Sequence, residues 1–78
     1  MNSMKDVLNI QSDLHKICQD TLVDHHHIHY KKQREVYVIS TKNHFSQEFF
    51  ADLDNMDFVI DCVFYDTLSD QLCCTVRY

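Results

Sequence analysis

Six histidines occur in this 78-residue chain, and four of them crowd one stretch, His25-His26-His27-Ile28-His29. In an extended segment alternate residues share a side, so His25, His27 and His29 project together. Three imidazoles at that spacing have the chemistry to ligate zinc, nickel or copper. Asp61, placed on the same sheet face, would add a carboxylate. Imidazoles also titrate near neutrality, which makes the cluster a candidate for pH response. The plainer reading is a row of solvated histidines on an edge strand, where polar side chains oppose edge-to-edge aggregation. That reading is favoured because no HExxH motif and no paired Cys/His spacing accompanies the cluster. The expectation is therefore no cofactor, with zinc, nickel or copper at the cluster as the alternative.

Nucleophilic chemistry finds less support. The four cysteines, Cys18, Cys62, Cys73 and Cys74, include no CxxC pair. Neither a zinc knuckle nor a thioredoxin-type motif is present. Cys62 and Cys74 read as small apolar core residues and Cys73 as an outward one, since neighbours on a strand point to opposite faces. A dyad of Cys73 with a cluster imidazole has no nucleophile elbow or protease signature around it. The chain contains no glycine and no proline, where average usage gives roughly five and four. Glycine-rich phosphate loops and the dinucleotide fingerprint are thereby excluded. No enzymatic activity is expected. The opening Met1–Asp6 lacks the apolar core of a signal peptide, and no apolar run is long enough to cross a membrane. A cytoplasmic chain with free thiols is the expectation.

Charge points elsewhere. The formal net charge is −5, and residues 45–78 carry seven acids against Arg77 alone. Such a chain covers phosphates poorly, so direct nucleic-acid binding is not expected. The small basic tip Lys31-Lys32-Gln33-Arg34 would touch too few phosphates to change this. Glu48, Asp52, Asp54, Asp57 and Asp61 form an acidic surface suited to a basic protein partner, whose groove is then occupied in place of nucleic acid.

The elements that position these residues follow from periodicity. Val7, Ile10, Leu14, Ile17 and Thr21 recur at three- and four-residue steps, widened by Leu8, Cys18 and Leu22, and predict a helix over 3–23 capped by Ser3. A hairpin over 25–30 and 35–41 follows, with Ile28 opposite Tyr37 and His27 opposite Val38. Phe45, Phe49, Phe50, Leu53 and Met56 predict a second helix over 44–55, capped by Thr41 or Asn43 and ended by Asn55 in the left-handed conformation. Residues 57–65 and 71–78 alternate as a second hairpin. Its bulky even-numbered residues, Phe58, Ile60, Cys62, Phe64, Leu72, Cys74, Val76 and Tyr78, are assigned to the core. That assignment needs an odd loop, because an even one turns one strand's core residues outward. Without glycine, Asn43, Asn55, Asp66 and Asp70 are the candidates for positive φ.

The order helix, strand, strand, helix, strand, strand predicts one α+β domain over 1–78. Its core would be a four-stranded antiparallel sheet with both helices on one face. The fallback is αβαββ with three strands, should residues 25–30 not form one. The other face, carrying His27, Val38, Val59, Val63, Tyr65 and Thr75, would stay open to solvent or a partner. Val59, Val63 and Tyr65 join the acidic residues as expected partner contacts. The expected function is a non-catalytic protein-binding module without membrane attachment, with a metal-binding protein or a small homo-oligomer, such as a homodimer, as alternatives. In size, acidity and lack of catalytic groups the chain resembles the small inhibitors of phages and mobile elements, including anti-restriction and anti-CRISPR proteins. That resemblance implies steric inhibition of a partner protein.

Overall fold

The computed structural model describes residues 4–78. The elements run α1 (Met4–Asp20), β1 (His26–Lys31), β2 (Val36–Thr41), α2 (Gln47–Asn55), β3 (Val59–Asp66) and β4 (Gln71–Arg77). The four strands make one antiparallel sheet in the order β1-β2-β4-β3. This is the expected α+β architecture. The Ser3 cap lies outside the described residues.

The core forms where the helical stripe meets one face of the central strands. Val7, Ile10, Leu14, Ile17 and Cys18 of α1 pack with Phe49 and Leu53 of α2 against Tyr37, Ile39, Cys74 and Val76. Both helices therefore cover the same sheet face. Leu8, expected to widen the α1 stripe, is exposed.

Helix ends show how a chain without glycine turns. After α1, the Val23 N–H reaches the Cys18 carbonyl and the Leu22 N–H the Gln19 carbonyl. After α2, Phe58 bonds to Leu53 and Asp57 to Asp54. Both are Schellman endings, with Leu22 (φ 59°) and Asp57 (φ 65°) in the left-handed position that glycine usually fills. Asn55 is thus the last residue of α2 but not a left-handed one; Asp57 takes that position. Likewise Asn43 and Asp66 are not left-handed, whereas His25, Glu35 and Asp70 are. Leu22 is 80% exposed, so it pays the backbone strain of this conformation without burying its side chain. Leu22→Gly is expected to raise stability by about 1 kcal/mol, a rise in melting temperature of roughly 4–8 °C. Thermal melting checks it, and a fall would mean that Leu22 is not left-handed in solution.

Ser46, three residues beyond the expected Asn43, caps α2. Its Oγ accepts the Phe49 N–H at 3.1 Å and donates to the Thr21 carbonyl at 3.4 Å, tying the end of α1 to the start of α2. Thr41 instead holds the connection between α1 and β1. Its buried hydroxyl donates to the Asp24 carbonyl at 2.7 Å and accepts the Asn43 N–H at 3.1 Å.

The hairpins correct two register expectations. In the first, Ile28 faces Ile39 and His27 faces Ser40, because the turn is Lys32–Glu35 with left-handed Glu35 inside it. The two-residue slide leaves every side chain on its expected face. In the second, the loop is residues 67–70, an even count, and Phe64 faces Cys73 where Leu72 was expected. An even loop must turn one strand's residues over, and β3 is that strand. Cys62 and Phe64 point away from the helices, and Val63 and Tyr65 point to the helix side. A bulge at Asp61 then restores the alternation, so that Ile60 faces Val76 on the helix side as expected.

Candidate interaction surface

The sheet has two edges with opposite chemistry. On β1, His27, His29 and Lys31 alternate outward, away from the helices, while Ile28 and Tyr30 pack against the core. On β3 the outward residues are Val59, Asp61, Cys62, Phe64 and Asp66, and the helix-side residues are Ile60, Val63 and Tyr65. The helix layer stops short of β3, so its helix side is uncovered too. Val59, Ile60, Val63, Phe64 and Tyr65 are each between 39% and 60% exposed. Leu68, in the β3–β4 turn beside them, is 98% exposed.

The outer face of the central strands is not open in the way the alternation suggested. Val36, Val38 and Cys73 form a small buried cluster, and Ser40 and Thr75 beside it are buried. Val38 and Thr75 are therefore not contact residues, and Val63 and Tyr65 are exposed on the helix side, not on the outer face.

Asp61 organises the outer face of β3. It accepts a hydrogen bond from the Thr75 hydroxyl at 3.2 Å and lies 3.7 Å from Arg77 and 3.9 Å from Arg34. The Arg77 guanidinium also donates to the Arg34 carbonyl. The bulge thus turns a carboxylate inward onto two arginines. At the turn, the Asp66 carboxylate accepts the Leu68 N–H and the Ser69 hydroxyl. Along α2, Glu48 and Asp54 are exposed, Asp57 just beyond the helix is exposed, and Asp52 is half-buried. Asp57 precedes β3, Asp61 lies within it and Asp66 closes it, whereas Glu48 lies at the start of α2 beside Asp20 and Thr21.

The histidine cluster is split. His25 precedes β1 in a left-handed bend at φ 52°, so only His27 and His29 share a strand face. Asp61 lies on the far edge of the sheet, three strand spacings or about 14 Å across. Among the described residues no group of three His, Cys, Asp or Glu side chains is placed to hold a metal ion. An open cleft of about 380 Å³ is lined by His25, His27, Lys42 and Gln71, and another of about 400 Å³ by Asp20, Thr21, Leu22, His44, Ser46 and Glu48.

His26, which the alternation set aside, makes the defined imidazole contact. Its Nδ1 is 2.9 Å from the Val23 carbonyl, which can only accept, so Nδ1 carries the proton. Its Nε2 shares a hydrogen bond with His15 Nδ1 at 2.9 Å. Burial, and secondly the neighbouring His26, hold His15 below its ordinary value of 6.5. A histidine whose folded-state value is depressed contributes stability that is complete above the unfolded value and is lost as pH falls through the folded one. The melting temperature is expected to drop below about pH 6.5. In His15→Gln, whose amide still donates to His26 and does not titrate, this component of the drop should vanish. Melts from neutral to mildly acidic pH check it, and an unchanged pH profile in the variant contradicts it.

All four cysteines are free. Burial pushes the thiols of Cys18 and Cys74 up to about 12. Cys73 is raised by burial and then by Asp66, opposed by Lys31. Cys62, assigned to the core by alternation, is the exposed one. Among the described residues no helix is long and apolar enough to cross a membrane. The same alternation that misplaced Cys62 and Phe64 also hid the apolar character of both faces of β3; only the even length of the turn, Thr67 to Asp70, carried that signal. No protein-family model, curated protein or solved structure matches this chain.

Proposed function

We propose that the chain is a small non-catalytic protein-binding module that acts, as an inhibitor or adaptor, by occupying a partner protein's surface. The observation that carries this reading is β3: an edge strand with free backbone groups, apolar and uncovered on both faces. Such an edge is a template for strand addition, in which main-chain hydrogen bonds give affinity and side chains on alternate faces give selectivity. Val59, Val63 and Tyr65 are the contact residues, joined by Ile60 and Phe64. Glu48, Asp52, Asp54 and Asp57 set the sign of the partner, which is basic next to the strand it offers. Asp61 serves the site from within, through its arginines. Anti-restriction and anti-CRISPR inhibitors work in this steric manner, and the likeness to them is one of size and charge. Four free thiols suit a reducing cytoplasm.

Affinity capture with three baits tests the reading: the native chain, Val63→Lys/Tyr65→Lys, and Asp52→Lys/Asp54→Lys/Asp57→Lys. A protein held by the native bait and lost from both variants is expected. Retention by both variants, or nothing held by any bait, would overturn it.

A further inference from the structure

We infer that β3 is occupied by a second copy of this chain, paired antiparallel about a twofold axis through Phe64. This rests on the reading of β3 as a docking strand and names its occupant. The bulge at Asp61 leaves Cys62–Asp66 as the regular, unbroken part of the strand. Paired residues in an antiparallel ladder share a face, so a self-paired strand must match like with like. With Phe64 on the axis, the ladder meets this requirement over all five residues. Phe64 faces Phe64 of the second copy on the outer side. Val63 faces Tyr65 and Tyr65 faces Val63 on the helix side, and Cys62 faces Asp66. Aromatic residues against aromatic or β-branched ones are among the favourable cross-strand pairs. One register thus brings together Val63, Phe64 and Tyr65, three of the large apolar side chains that the second hairpin leaves in water, and the bulge and the turn end the ladder on either side.

The carboxylates within the seam do not oppose this occupant. Neither carboxylate of the seam arrives bare: Asp61 is held against Arg34 and Arg77, and Asp66 is bonded within its own turn. Val63, Phe64 and Tyr65 of the ladder are 43–52% exposed, so the seam covers less than the ~800 Å² per partner of a standard interface and the association is a weak one. The other edge offers no such match, because His27, His29 and Lys31 would meet their own kind across a dyad. The product is one eight-stranded sheet with the helices of both copies on one side. There the two α2 segments bring Glu48, Asp54 and Asp57 of both copies to one surface, which stays free for a basic partner.

Sedimentation velocity from about 1 to about 100 μM is the test. The native chain should pass from the 9.3 kDa monomer to twice that mass. Val63→Lys, folded by circular dichroism because residue 63 is exposed, should stay monomeric throughout. The triple variant Cys62→Ser/Phe64→Cys/Cys73→Ser, which removes the thiol facing residue 64 within its own chain, should form a covalent dimer on mild oxidation, since in the seam residue 64 meets itself. A native chain monomeric at every concentration overturns the inference. If the β3 variants then still lose a captured protein, the docking-strand reading stands without it; if they do not, both fall. A dimer that survives Val63→Lys, or that fails to cross-link at residue 64, equally overturns the proposed seam.

Discussion

Phe49→Ala is expected to remove about 3–5 kcal/mol of stability, a loss no surface change in this molecule approaches. Phe49 is wholly buried, its ring stacks on Phe45 at 4.7 Å between centroids and meets Phe50 edge-on at 5.3 Å, and its N–H is the one Ser46 caps. The truncation leaves a hole lined by groups fixed in two helices and the sheet, which cannot all close on it. A domain of this length holds roughly 4–12 kcal/mol in total, so about half of it should go and the urea midpoint should fall accordingly. Urea titration followed by circular dichroism measures it. A loss under about 1 kcal/mol would show that α2 does not seat Phe49 in the core.

Deleting Asp61 has the second large effect, on association. Asp61 is the residue extra to the ladder: Ile60 faces Val76 and Cys62 faces Thr75, with Asp61 between them. Its removal joins the two registers into one continuous strand without turning any side chain over. The cost to stability is two exposed ion pairs and one hydrogen bond, about 1–2 kcal/mol. What changes is the edge. The inward carboxylate and the bulge are both devices that keep strands from pairing without limit. Without them β3 becomes longer, flatter and uncharged between Val59 and Tyr65. The variant is expected to stay folded and to form large assemblies at concentrations where the native chain does not. Asp61→Asn, which keeps the extra residue and drops only the charge, should aggregate less. Light scattering beside thermal melting follows both. Loss of the fold on deletion would contradict the bulge.

Periodicity carried much of this architecture. The α1 stripe from Val7 to Ile17 reads as a helix because every third or fourth residue is apolar, and those residues are the ones buried. The strand runs around Val36–Thr41 and Gln71–Arg77 were equally legible, since β-branched residues and cysteines concentrate where the sheet is covered. What alternation could not convey is the length of a turn. In the β3–β4 hairpin every residue from Phe58 to Tyr65 except Asp61 is apolar or cysteine, so the pattern reads equally well in either phase. Asp66 and Asp70 decide the phase through local chemistry, Asp66 by closing the turn with its carboxylate and Asp70 by accepting a positive φ. The left-handed positions were illegible for a related reason. In a chain without glycine, tertiary packing places Leu22 and Glu35 where intrinsic preference would not. The candidate surface was half visible. Its acids and its residues Val59, Val63 and Tyr65 stand in the sequence. That they sit on an uncovered edge, on both faces of it, follows from the even turn and from the helix layer stopping one strand short.

Thiol mapping of the native protein, at low concentration and read by mass spectrometry, bears most directly on that edge. Cys62 should take up iodoacetamide readily, while Cys18, Cys73 and Cys74 stay unmodified until the chain unfolds. Labelling of Cys73 with Cys62 protected would contradict the placement of Cys62 on an uncovered β3 and, with it, the docking strand.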